Sequence, residues 1–306
     1  MQKQFYTMSA YGRKSIGNIY ALWSEQGVKS LSALLQSGVD GRKILLEALG
    51  ETGSAKAIPV LEQYLDSNTW EAARALVAIG PASAEVLKEK SIIYHDCALG
   101  YGKVSGTRGV EHLAKLIHNP SSEVARYALL GLGYSQSDEA NQLLIEQYPH
   151  FKGMARQAVI SSLSRLGKKS SIPVIKEAIN DDFPGVRIAA IYAFMNIDRT
   201  VGENLIVEKL KDSEPIVVRD AAWSAGHLAT PKALPSLIYL VNESKDKYIL
   251  RAVAFALSKI IANPQISSED QAKCRKALLK LSRHEWHEIR THAENGLKGT
   301  NVGGRM

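Results

Sequence analysis

The sequence predicts an all-α fold, a right-handed α-α superhelix of about nine helical pairs. Three observations predict it. An apolar residue followed by Arg returns at the head of successive segments, as Ala125-Arg126, Ala155-Arg156, Val186-Arg187, Val218-Arg219 and Leu250-Arg251, with spacings of 30, 31, 32 and 32. Apolar residues follow each head at helical spacing, which gives one buried stripe per segment. A second segment in several units opens on Pro, at Ile58-Pro59, Ile172-Pro173 and Leu234-Pro235, where the missing amide donor of a first helical turn does no harm. A period in this range marks an array whose units bury their apolar faces only against neighbours.

Taken in order, residues 1–11 are expected to be an N-terminal arm whose Phe5 and Tyr6 pack over the open end of the array. Gly12 to Gln36 reads as a degenerate first unit, the opening of the repeats that run over 12–282. Gly41 to Asp66 holds Arg42-Lys-Ile-Leu-Leu-Glu-Ala-Leu-Gly50 and then Ala57-Ile-Pro-Val-Leu61. Trp70 to Lys90 is built on Glu71-Ala-Ala-Arg74-Ala-Leu-Val-Ala-Ile-Gly80, and another unit spans Ile92 to Asn119. From Ser121 onward each unit reads helix, short turn, helix, polar turn. In the unit at Val186 the stripe is Val186, Ala189, Ala190, Ala193, Phe194 and Ile197; after the turn Asp198 to Gly202, Leu205, Ile206 and Leu210 belong to the second helix. The unit Tyr248 to Ser282 is lengthened by Asn263 to Ser268, a capping helix occupies 283–298 near His287 to Leu297, and 299–306 is expected to be a flexible tail. Residues 1–306 are thus expected to be one repeat domain, its terminal units atypical because they cap the core.

With 45% hydrophobic and 23% charged residues and a mean hydropathy of -0.13, the chain lies in the folded class rather than the disordered one. It has no charged-apolar-small leader pattern at Met1 and no apolar run of 18 residues, so the expectation is a cytoplasmic protein with no membrane partner. Cys97 and Cys274 lie in different repeats without paired spacing, which fits reduced core thiols. A net charge of +7 favours an acidic partner, whether protein, lipid or nucleic acid, without choosing among them.

These repeats resemble the HEAT-repeat family, in particular the short phycobilin-lyase type. Its pattern is an acid, Val-Arg, Ala-Ala, Ala-Leu-Gly, a turn, and Ala-Ile/Leu-Pro-x-Leu. Here Asp181-Asp182 precede Val186-Arg187, Asp212 precedes Val218-Arg219, Ala48-Leu-Gly50 ends a helix, and the three apolar-Pro pairs open second helices. The resemblance covers nearly the whole chain and implies a HEAT-like solenoid; it says little about activity, because one repeat type hosts unrelated functions. The repeated Arg reads as structural, pairing with an Asp five to seven residues earlier, as in Asp182 with Arg187, Asp212 with Arg219 or Asp246 with Arg251.

No motif carries catalysis. Arg283-His284-Glu285-Trp286-His287-Glu288-Ile289-Arg290-Thr291-His292 is dense in metal-ligand types, but a His-Glu-x-x-His site would need His where Glu288 stands. Deoxyhypusine hydroxylase, an iron enzyme of HEAT-like repeats, is similar here through Arg283-His284-Glu285. That family uses His-Glu pairs in several repeats, whereas Ile188, Asp220 and Ala252 follow Arg187, Arg219 and Arg251, so neither a metal nor any other cofactor is expected. The cluster reads as a helix junction with solvated His and Glu side chains. Gly100 to Gly106 is Gly-rich and reads as a repeat turn; it lacks the Gly-Lys-Ser/Thr ending of a phosphate loop. No Gly-x-Ser-x-Gly elbow is present. A bacterial alkylpurine DNA glycosylase of HEAT-like repeats invites comparison through Trp23, Trp70, Trp223 and Asp220, yet Asp220 and Trp223 fall in a first helix, the layer expected to be convex.

If second helices line the concave face, Gln63, Lys115, Gln147, Glu177, Glu208 and Tyr239 form one row. The row mixes signs, unlike a phosphate-tracking surface, so the expected function is a non-enzymatic scaffold, adaptor or inhibitor binding another protein there. The alternatives are a HEAT enzyme of the lyase or glycosylase kind, or sequence-independent nucleic-acid binding along turn cations, for which Lys103, Arg108, Lys168, Lys169, Arg199 and Lys232 are the candidates, with Lys56 among the same turns.

Overall fold

The computed structural model describes residues 24–38 and 41–299, and among them the ordered elements are all helices. The expected N-terminal arm, most of the degenerate first unit with Trp23, and residues 300–306 of the expected tail lie outside the described residues. The chain divides into two compact units, 1–149 and 150–306.

The first unit contains α1 (Ser24–Gln36) and four helical pairs: α2 (Arg42–Glu51) with α3 (Ile58–Glu62), α4 (Thr69–Ile79) with α5 (Ala84–Lys90), α6 (His95–Ser105) with α7 (Val110–Leu116), and α8 (Ser122–Leu132) with α9 (Asp138–Gln147). The second contains α10 (Gly153–Leu166) with α11 (Ile172–Ala178), α12 (Pro184–Ile197) with α13 (Arg199–Glu208), α14 (Pro215–Leu228) with α15 (Leu234–Glu243), α16 (Lys247–Ile260) with α17 (Ser268–Leu281), and the terminal α18 (His287–Gly299). Single-turn 3₁₀ segments such as Ala55–Ala57, Lys169–Ser171 and Pro231–Ala233 lead into the second helices.

Local chemistry sets the boundaries. Ser121, Ser137, Asp246 and Ser267 accept amide hydrogens of the helices that follow them, each such cap contributing about 1 kcal/mol. Pro59, Pro173, Pro184, Pro215 and Pro235 occupy the first turn of their helices. Asp198 ends α12 and caps α13, accepting the Val201 amide at 3.2 Å, so the expected turn Asp198 to Gly202 shrinks to a single residue and Arg199 is already helical.

Within each unit successive first helices stack closely because small residues face one another. A Cβ placed on Gly102 of α6 would lie 2.4 Å from the Gly131 carbonyl oxygen of α8, and one on Gly50 of α2 would lie 2.6 Å from Ala75 Cα of α4. In the second unit Ala189, Ala190 and Ala193, Ala221, Ala222 and Ala225, and Ala252, Ala254 and Ala256 are all buried on the same layer. The second helices meet this layer with larger side chains, among them Leu61, Leu87, Leu113, Leu144, Ile175, Ile206 and Leu237, each at most 1% exposed. Burying one such side chain contributes about 1.5–3 kcal/mol. Gly100 to Gly106 is therefore not a turn: it lies in α6 with Gly106 as its cap, and Gly102 serves helix contact. Cys97 and Cys274 are buried thiols, as expected, and burial pushes both up to about 12.

Candidate functional site

The repeated arginines explain where this surface departs from plain repeat architecture. Arg187 donates from Nη1 to the carbonyls of Asp181 at 2.8 Å and Asp182 at 3.2 Å, and from Nη2 to Asp212 Oδ1 at 2.6 Å. Arg156 repeats the arrangement, reaching the Phe151 carbonyl at 2.6 Å and Asp181 Oδ2 at 2.7 Å. The residues five and six positions earlier thus supply backbone oxygens, while the carboxylate comes from 25 residues ahead, in the next repeat. That corrects the expected pairing of Arg187 with the Asp182 carboxylate. Asp212 also accepts the Glu214 amide at 3.0 Å. Burial opposes its ionisation, but the Arg187 hydrogen bond, that amide, and the charges of Arg187 and Lys209 outweigh the penalty and hold it below the usual carboxylate range.

One repeat further on the ladder stops. Ser244 stands 25 residues beyond Arg219, and its hydroxyl accepts the Asp246 amide at 3.2 Å. Arg219 turns instead to its neighbour Asp220, at 2.9 Å, and not to Asp212 as expected. The next arginine, Arg251, finds neither Asp246, whose carboxylate caps α16, nor a partner 25 residues ahead; it pairs with Glu288 Oε2 at 2.6 Å across the lengthened repeat.

Released from the ladder, Arg219 and Arg251 line an open cleft of about 400 Å³ with Tyr192, Asp220, Trp223, His227 and Tyr248. All seven belong to the first helices α12, α14 and α16. Asp220, 8% exposed in its side chain, accepts the Tyr192 hydroxyl at 2.7 Å and the Arg219 guanidinium through its other oxygen. Both carboxylate oxygens are thereby engaged in positioning two cleft side chains. Desolvation of the phenol and its bond to Asp220 push Tyr192 up to about 12. Trp223 is backed by Phe255, with ring centroids 4.5 Å apart, and by His292 at 5.8 Å. Tyr248 meets Trp286 edge-on at 5.9 Å, and Lys247 Nζ sits 3.7 Å from the Trp286 ring centroid. Arg251 also borders a second cleft with His287, Glu288, Thr291 and His292.

The polar run 283–292 is a helix junction, as expected, but its side chains are not simply solvated. The Trp286 amide donates to His284 Nδ1 at 3.1 Å, and Arg290 takes the His284 and Glu285 carbonyls. His292 packs on Trp223 and Phe255; burial, followed by the Arg251 charge, moves it below the ordinary imidazole range. Among the described residues, no group of three or more His, Cys, Asp or Glu side chains converges as a metal site would, and no helix is long and apolar enough to cross a membrane.

The residues expected to meet a partner lie on or at the ends of second helices. In the first unit Gln63 is exposed, Gln147 is half-buried, and Lys115 is exposed but paired with Glu111 at 2.7 Å. In the second unit Glu177 and Glu208 are exposed, and Tyr239, 63% exposed, borders a groove with Leu210, Asp212 and Pro235. Of the candidate phosphate contacts, Lys169 lies 3.7 Å from Asp198, Lys232 lies 2.5 Å from Glu203, and Arg199 donates to the Met195 carbonyl. Lys103 lies within α6 rather than in a turn, 5.1 Å from the Tyr134 ring; Arg108 is exposed, and Lys168 is half-buried. The cleft on the first helices is what sequence reading missed. Asp220 and Trp223 had stood out in the sequence without the cleft they share; the signal for it was the missing carboxylate 25 residues beyond Arg219 and Arg251, where Ser244 and Lys276 stand.

A family model described as HEAT repeats matches residues 110–195 and 203–298. Deoxyhypusine hydroxylase of Arabidopsis thaliana is 23% identical over 239 residues, covering 74% of this chain and 68% of its own. Among solved structures, the archaeal HEAT-like repeats protein from Thermococcus onnurineus NA1 aligns with a TM-score of 0.49 at 14% identity, covering 71% of this chain and 97% of that one. The complex of CpcE and CpcF of phycocyanin lyase from Nostoc sp. PCC7120 gives a TM-score of 0.42 at 17% identity, with 72% and 92% covered.

Proposed function

The chain belongs to the HEAT-repeat family, and from that premise we propose that it is a non-enzymatic scaffold or adaptor that binds another protein through its exposed helical faces. The observation that carries this reading is the state of the reactive-looking groups. Asp220 is occupied on both oxygens, Cys97 and Cys274 are buried thiols pushed up to about 12, and His284 Nδ1 holds a backbone amide. The exposed side chains are instead of the kind that anchor protein contacts: Tyr192, Tyr239 and Tyr248 are each about half exposed or more, and Tyr, Trp and Arg dominate interface energetics. Nucleic-acid binding along the turn cations has less support, because Lys169, Arg199 and Lys232 are already engaged with protein acceptors.

The test is a tagged pull-down from native extract after nuclease treatment, with an untreated duplicate. A stoichiometric protein that survives nuclease supports the scaffold; nucleic acid alone refutes it, and the Lys168, Lys169 and Arg199 triple substitution then locates the contact. Charge reversal at Lys115, Glu177 and Glu208 together asks whether second helices carry the partner.

A further inference from the structure

We propose that the cleft between α12, α14 and α16 anchors a short acidic peptide segment of the partner protein, its carboxylate held between Arg219 and Arg251 and an adjacent apolar or aromatic side chain laid against Trp223 and Tyr248. The proposal rests on the scaffold reading and deepens it. The two guanidiniums are present for repeat-structural reasons but lack the repeat-structural partner: where Arg156 and Arg187 find a carboxylate 25 residues ahead, Arg219 has Ser244 and Arg251 has Lys276. Each keeps one carboxylate, Asp220 or Glu288, and about a third of its side-chain surface remains open, 36% for Arg219 and 37% for Arg251. A planar guanidinium has donors to spare after one such contact.

Three further features point to a peptide. Asp220 fixes the Tyr192 and Arg219 side chains in advance, so little rotamer freedom is lost on binding. Trp223 packs against Phe255 and His292, and the Arg251 guanidinium stands 5.5 Å from its ring centroid, so the ring is held rigidly beside the cation that would take the carboxylate. Tyr192 and Tyr248, 45% and 51% exposed, add apolar area at the cleft wall. A basic segment would meet two like charges. A nucleic-acid strand would need cations to continue along the face, whereas the adjoining cleft places Glu288 against Arg251.

The experiment is selection of a random dodecapeptide phage library on the full chain, followed by anisotropy titration of the selected peptides. The expected result is enrichment of Asp or Glu next to an aromatic or large apolar residue, with affinity falling tenfold or more in the Arg219→Gln, Arg251→Gln double variant and steeply with salt. Tyr248→Ser touches no ion pair and should also weaken binding, with an unchanged far-UV circular dichroism spectrum. Selected peptides without acidic residues, no selected peptides, peptides indifferent to these variants, or displacement of the peptide by a fifteen-residue oligothymidylate would each overturn the proposal. If the double variant still retains the partner protein in the pull-down while the charge reversal at Lys115, Glu177 and Glu208 loses it, the cleft assignment fails and the scaffold reading stands. If the wild-type chain retains no protein, the scaffold reading itself fails.

Discussion

Replacing Arg187 with Met keeps most of the side-chain volume and removes the charge that joins two repeats. The pair it breaks is buried on both sides, with Arg187 and Asp212 9% and 6% exposed. Two backbone carbonyls lose their donor as well, and the Asp212 carboxylate is left with the Glu214 amide and Lys209 at 3.7 Å. Removing one partner of a buried pair costs about 3–5 kcal/mol. Arg126→Met, which breaks a contact between Arg126 and Glu123 that are 24% and 46% exposed, should cost no more than about 1 kcal/mol. The assay is urea unfolding followed by far-UV circular dichroism at neutral pH, with m-values compared. The pH dependence has a definite sign: Asp212 is depressed in the fold from an ordinary value of 3.8, so its contribution is complete above that value and disappears as pH falls through the folded one. The gap between wild type and Arg187→Met must therefore narrow in acid. Arg187→Met combined with Asp212→Leu should recover much of the loss, since an apolar pair of similar volume needs no charge compensation. An Arg187→Met cost within about 1 kcal/mol of wild type, or no larger than that of Arg126→Met, would refute the ladder as a stabilising device.

Other consequences are as direct. Gly102→Ala sets a methyl 2.4 Å from a backbone oxygen that belongs to another helix, and should cost about 1–3 kcal/mol by overpacking; Gly100→Ala meets only side-chain tips of Val77 and Leu87 at 3.0 and 3.1 Å and should cost less in the same unfolding assay. Tyr192, pushed up to about 12, should stay protonated at pH 11 in an ultraviolet titration, and its contribution to stability is present below pH 10 and lost as pH rises through the folded value. Asp220→Asn should bring that transition down, and a Tyr192 that ionises at its ordinary value in the wild type would contradict the hydrogen bond. Cys97 and Cys274, both buried and pushed up to about 12, should resist iodoacetamide at pH 8 in the native chain and react in urea; rapid native labelling would show that one of them is reachable.

The helices were legible because packing enforces period. Ala189-Ala190, Ala221-Ala222 and the recurring apolar-Arg heads repeat wherever one first helix must lie close to the next, and Pro59, Pro173 and Pro235 mark where second helices begin. The direction of the Arg contact was not legible, since an acid lies both a few residues before Arg187 and 25 residues after it, and sequence proximity favours the wrong one. The cleft was harder still. Tyr192 follows its repeat Arg by five positions, Trp223 follows by four, and Tyr248 precedes by three, so no column of the repeat gathers them. They converge only because three helices lie side by side.

The Arg contact also gives the array a direction of growth. Each of Arg156 and Arg187 is a plug, and the socket it fills, Asp181 or Asp212, belongs to the module downstream. A duplicated cassette from Asp182 to Asp212 would bring its own socket with its own plug, leaving every arginine served. A duplicated cassette from Ser213 to Ser244 would add another Arg219 facing another Ser244. Lengthening by gene duplication is therefore cheap at the first position, whereas at the second it multiplies arginines that stand outside the ladder, each paired only with its neighbouring Asp220, and, with them, copies of half of a binding cleft.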